Sequence, residues 1–147
     1  MYFSIGGHPA FLCPLTEDEK QSDYYFSFDS AAPIAITRIS ENSLAVKEKE
    51  QPLLSTEGGL LRISANLFDN DALVIENDQV HSVALLTQDK SPYVTVKFDA
   101  PLFGLWSPAK MNAPFVCIEP WYGRCDSEDF NGTLEEREWG NELEAGK

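Results

Sequence analysis

Two separated stretches carry the residues best suited to proton chemistry. His8 stands in Gly6-Gly7-His8-Pro9-Ala10-Phe11, and Glu119 follows the apolar run Phe115-Val116-Cys117-Ile118 and precedes Pro120-Trp121. An imidazole titrates near neutral pH, and a carboxylate at the end of a buried strand is partly desolvated, which raises its basicity. Such a pair suits a reaction that takes a proton from one oxygen and gives another to a second oxygen. Glu119 and Trp121 are alternate positions, so they share a face if the strand stays extended through Pro120. Each residue also has a plainer reading. His8 alone fits a loop histidine bonded to backbone, and Glu119 fits a strand-end carboxylate paired with Arg124.

The elements that must bring these stretches together read as short strands. Tyr24, Phe26 and Phe28 alternate with Tyr25 and Ser27, which predicts a strand with one aromatic face. Residues 35–39 and 44–47 read as a hairpin turned by Ser40-Glu41-Asn42-Ser43. Strands are predicted at 60–63, after Gly58-Gly59, and at 73–76, before the turn dipeptide Asn77-Asp78. Residues 80–87 and 93–98 form another hairpin pattern, and 115–118 reads as a strand buried on both faces. Thr133-Leu134-Glu135-Glu136 has the spacing of a helical capping box, predicting one or two turns. Strands this short and this regularly punctuated indicate antiparallel sheet packed on sheet.

Composition narrows the partners. The 147 residues suffice for one domain and one core, and the net charge of −13 disfavours phosphate backbones and anionic lipid. Nucleic acid and membrane are therefore excluded as expected partners, while an uncharged ligand would be indifferent to the charge. A phosphorylated ligand would need a local basic pocket built from Arg38, Arg62, Arg124 or Arg137. The opening Met1-Tyr2-Phe3-Ser4 has no leader pattern, and no run approaches the ~20 apolar residues of a membrane span. Cys13, Cys117 and Cys125 are odd in number and widely spaced, as expected of reduced thiols in a cytoplasmic protein. No zinc spacing is present.

The blocks Phe3-Ser4-Ile5-Gly6-Gly7-His8-Pro9-Ala10-Phe11, Leu67-Phe68-Asp69-Asn70-Asp71-Ala72-Leu73, Gly104-Leu105-Trp106-Ser107 and Pro114 through Arg124 fall in one order along the chain. In that order they resemble the C-terminal half of the aldose 1-epimerase (galactose mutarotase-like) family. The resemblance implies an all-β fold, an antiparallel β-sandwich truncated at both ends, with 1–147 as a partial domain. It implies an isomerase that interconverts the α and β anomers of a hexose without metal or other cofactor. His8 would then be the general acid at the ring oxygen, and Glu119 the general base at the C1 hydroxyl. Asp71, Trp121 and Arg124 would bind the sugar.

Those assignments have competitors. Asp71 fits a turn-forming residue as well as a sugar ligand, and Asp69-x-Asp71 lacks the glycine and spaced glutamate of a calcium loop. Trp106, Trp121 and Tyr122 fit core packing as well as stacking on a pyranose. Arg124 fits an ion pair with Asp126 or Glu119, His81 a packing or surface position, and the acidic tail a solvated face. A two-carboxylate glycosidase built on Asp71 and Glu119 would leave His8 without a task. Family members carry further sugar-clamping groups in an N-terminal half, so a homo-oligomer or a separate N-terminal half is expected to complete the site. A non-catalytic sugar-binding module or an inactive remnant is the alternative.

Overall fold

Residues 1–111 and 113–147 are described by the structure, a computed structural model. In chain order the strands are β1 (Tyr2–Phe3), β2 (Ile5–Gly6), β3 (Ala10–Leu12), β4 (Tyr25–Phe28), β5 (Leu60–Arg62) and β6 (Leu73–Ile75). They continue with β7 (Ser82–Leu86), β8 (Pro92–Lys97), β9 (Leu102–Trp106), β10 (Phe115–Tyr122) and β11 (Asn141–Glu142). Among the described residues, helix is confined to two short 3-10 turns, Gln21–Asp23 and Leu134–Glu136. The second carries the predicted capping box: Thr133 donates its backbone N–H to Glu136 Oε2 at 2.8 Å.

Two antiparallel sheets face each other. One has the order β5-β4-β7-β8; the other runs β6-β9-β10, with β2 and β3 both along the free edge of β10. Alternation decides what lies between them. Phe26, Phe28, Leu61, Val83 and Leu85 of the first sheet meet Ile75, Phe103, Leu105, Val116 and Ile118 of the second in one buried cluster. Burying such side chains stabilises by about 1.5–3 kcal/mol each, which fixes the facing of every strand that contributes one. The fold is therefore the expected antiparallel β-sandwich, and Tyr24, Phe26 and Phe28 form the buried aromatic face read from the sequence.

Residues 35–47 depart from the predicted hairpin. Ser40 N–H donates to Leu44 O at 2.8 Å and Val46 N–H to Arg38 O at 3.0 Å, but only an isolated bridge, Ile39 to Ala45, joins the two arms. The remaining backbone groups go elsewhere: Ile36 N–H to Pro52 O, Thr37 N–H to Val74 O and Ala45 N–H to Asp126 O. The segment thus meets the free edge of β6, where Thr37 and Val74 exchange backbone hydrogen bonds. β10 is longer than its apolar run and stays paired with β9 from Cys117 through Trp121.

Candidate functional site

β10 builds the site by parity. Val116 and Ile118 point into the core, so Cys117, Glu119 and Trp121 lie on the opposite face of the same strand. The neighbouring edge then places the histidine. Gly6 pairs with Trp121 and Ala10 with Cys117, and three residues separate the partners on both strands. The interrupted edge thus keeps its register, with His8 opposite Glu119. Pro9 has no N–H to give the ladder, and Gly7 N–H holds the loop by donating to Pro120 O at 2.9 Å. His8 Nδ1 stands 3.4 Å from Glu119 Oε1; the imidazole side chain is 61% exposed and the carboxylate side chain 4%.

On its other side Glu119 pairs with Gly104 of β9. That glycine is required by Trp121: a Cβ at 104 would stand 2.6 and 2.9 Å from the six-membered ring, and one at Gly6 2.5 Å from Cδ1. The indole is therefore cradled by two glycines from the strands flanking β10. Trp106 meets the His8 ring edge-on, with centroids 5.6 Å apart.

Burial is the main influence on Glu119 and raises its pKa above the ordinary carboxylate value. The charge on His8 and a hydrogen bond from Trp121 oppose this, and the nearby negative charge of Asp71 adds to it. A carboxylate held basic beside an imidazole can accept a proton while the imidazole gives one.

These groups line one open pocket of about 610 Å³, together with Ile39, Asp71, Gly123, Arg124 and Arg137. His8, Glu119, Asp71, Trp121 and Arg124 all contribute to its wall. Asp71 is exposed, has a φ of 72° and accepts the Ala72 N–H at 2.7 Å, so it is also the turn residue that its composition suggested. Trp106 joins the wall, whereas Tyr122 follows Trp121 on the strand, pairs with Ile5 and is 41% exposed outside the pocket. His81 lies on the surface.

Arg124 corrects the ion pairs read from sequence. It bonds Glu76 through Nε, the Cys125 carbonyl through Nη1 at 2.8 Å, and Glu138 through Nη2 at 2.6 Å. Asp126 is held instead by Arg137 Nε at 2.6 Å. The reason is topological: β6 and β10 each run antiparallel to β9 between them, so Glu76 and Arg124, just past their C-terminal ends, meet at one end of the sheet. Thr37 Oγ1 donates to Glu76 Oε2 at 2.9 Å and Ser127 Oγ to Glu138 Oε2 at 2.8 Å, which completes the network. Glu138 is held down at about 2, chiefly by Arg124 and then by Ser127. Nothing in sequence spacing announced Glu76, Glu138 or Arg137, because their partners lie 11 to 48 positions away.

The two-sheet antiparallel sandwich is the fold of galactose mutarotase-like proteins. A galactose mutarotase related enzyme from Lactobacillus acidophilus superposes with a TM-score of 0.86 at 33% identity, over 100% of this chain and 49% of that one. A galactose mutarotase-like protein from Lactobacillus casei gives 0.85 at 24% identity, over 100% of this chain and 50% of its own, which supports the fold. The chromosomal and plasmid LacX proteins of Lactococcus lactis are each 32% identical over 139 residues, 93% of this chain and 46% of theirs. No protein-family model matches. Over nearly its whole length the chain is similar to galactose mutarotase-related proteins, and it spans about half the length of the relatives it matches. No helix among the described residues is long and apolar enough to cross a membrane.

Proposed function

We propose that this chain carries the acid–base pair of an aldose 1-epimerase and interconverts the α and β anomers of an uncharged hexose. The observation that carries the reading is the 3.4 Å approach of His8 Nδ1 to the buried carboxylate of Glu119 inside the aromatic-walled pocket. His8 gives a proton to the ring oxygen as Glu119 takes one from the C1 hydroxyl, and the C1–ring-oxygen bond opens. The aldehyde turns about C1–C2, and the ring recloses with the two roles reversed. Trp121 offers its face to the apolar side of the pyranose, and Asp71 accepts from sugar hydroxyls. Arg124 spends three of its five N–H groups on Glu76, Cys125 and Glu138, which leaves two for a hydroxyl.

The charges around the pocket support a neutral substrate. Both arginines in the wall are already paired, Arg124 with Glu76 and Glu138 and Arg137 with Asp126, while Asp71 and Glu119 are acidic. A phosphate would find no guanidinium among these residues without a carboxylate partner already in place. Because the chain matches about half of its relatives' length, the proposal includes a second copy or an N-terminal half that closes the open side of the pocket.

Polarimetry on freshly dissolved α-D-glucose, α-D-galactose and glucose 6-phosphate tests it. The expected result is faster equilibration of the neutral sugars, reduced about 10²–10⁴-fold in His8→Ala and in Glu119→Gln. Saturable sugar binding without acceleration would replace the enzyme with a binding module. A preference for the phosphate would overturn the neutral-substrate reading.

A further inference from the structure

The acid–base pair has a third neighbour that proton transfer does not use. Cys117 precedes Glu119 by two positions on the same face of β10, and Ala10, two positions after His8, is its partner across the edge. One donor atom from each of His8, Cys117 and Glu119 lies within 4.8 Å of the other two, and no other such cluster of three occurs among the described residues.

An imidazole, a thiol and a carboxylate form a mixed donor set that suits zinc, which takes three protein ligands and water at open sites. Bonds of about 2.0–2.3 Å in a tetrahedron put neighbouring donor atoms roughly 3.3–3.6 Å apart. His8 and Glu119 already stand 3.4 Å apart. The thiol lies within 4.8 Å of both, and Cys117 is fixed in a strand and fully buried. Closure therefore falls to His8, which is mostly exposed on a loop that begins Gly6-Gly7. Cations are drawn to the site by the net charge of −13 and by Asp71 in the same wall.

The geometry points to a site for a thiophilic divalent cation, zinc being the type, held by His8, Cys117 and Glu119 with water in the fourth position. Binding forms a metal–sulfur bond, and the thiol proton leaves to solvent. The metal then occupies the atoms that sugar chemistry would need, so it acts as a reversible block rather than a cofactor. The site stands on donor geometry and does not require that the chain be an epimerase.

Cobalt(II), titrated into the purified full chain, is the probe, because a thiolate bound to it gives a charge-transfer band in the near ultraviolet. The expected result is one equivalent bound with that band, retained in Cys13→Ser and Cys125→Ser and lost in Cys117→Ser. His8→Ala, a change on an exposed loop, should weaken cobalt binding at least tenfold while leaving the circular dichroism unchanged. This keeps the test decisive if the buried serine variant misfolds. No band in the natural chain, a band that survives Cys117→Ser, or unaltered affinity in His8→Ala would overturn the site. Since the readout is metal binding, an absence of mutarotation leaves the result intact, and an active enzyme that ignores cobalt refutes only the metal site.

Discussion

Replacing Gly104 by alanine tests the central packing argument. The new methyl would stand 2.6, 2.9 and 3.2 Å from three carbons of the Trp121 six-membered ring. All are closer than ordinary van der Waals contact, at about 3.5–4.0 Å between carbons. The indole cannot slide freely toward the other edge, because Gly6 already admits its Cδ1 with no room for a Cβ. Overpacking of this kind costs about 1–3 kcal/mol. At about 2 kcal/mol, a domain of this size melts roughly 4–8 °C lower. Gly7→Ala is the matched control, since its nearest neighbour would be Pro9 Cδ at 3.6 Å, an ordinary contact. Thermal melts of both variants, with near-ultraviolet circular dichroism to follow the indole, give the answer. Gly104→Ala should lower the melting temperature and alter the aromatic signal, and Gly7→Ala should do neither. If Gly104→Ala matches the parent in both, the indole is not held between the two glycines and the stacking platform loses its basis.

Three further outcomes follow from the charges. Glu76→Ala removes the Nε partner of the buried Arg124 guanidinium and leaves Glu138 as its remaining carboxylate, and a buried donor left without its partner costs about 1–3 kcal/mol, so chemical denaturation should show a loss of that size. Glu138 has a depressed pKa of about 2, so its contribution is fully present above the ordinary glutamate range and is lost as pH falls toward 2. The shift alone corresponds to about 3 kcal/mol, but the side chain is 42% exposed and screening reduces this to about 1 kcal/mol. Glu138→Gln should therefore flatten the acid limb of stability between roughly pH 4.5 and 2, as melts across that range would reveal. Burial raises Glu119, and the base must be ionised to work, so the acid limb of the rate profile should lie above the ordinary carboxylate range. An acid limb at or below the ordinary glutamate value of about 4.3 would show that Glu119 is not the base.

Much of the sandwich was legible because its signals are local. The alternation of Tyr24, Phe26 and Phe28 gave a buried face, and the punctuated runs at 60–63, 73–76, 80–87 and 93–98 became β5 to β8 with ends shifted by one or two residues. Residues 35–47 misled because a turn flanked by alternating residues describes a hairpin whether its backbone pairs internally or, as here, with Pro52, Val74 and Asp126. β9 drew no strand prediction: its sequence, Leu102-Phe103-Gly104-Leu105-Trp106, has a glycine where a strand pattern wants bulk, and the cause is a tryptophan on another strand.

By itself, the sequence determined the strand character, the short reach of each element, the order of the blocks and the residue types available for proton transfer. These follow from side-chain period and turn chemistry, which act within a few residues. Only the tertiary structure decided that His8 and Glu119 stand opposite each other. Their separation of 111 positions is closed by the pairing of Gly6 with Trp121 and Ala10 with Cys117. Likewise it assigned Arg124 to Glu76 and Glu138, because two strands running the same way on either side of β9 bring their ends together. Register between distant strands depends on which faces the whole core buries, and no local pattern encodes that sum.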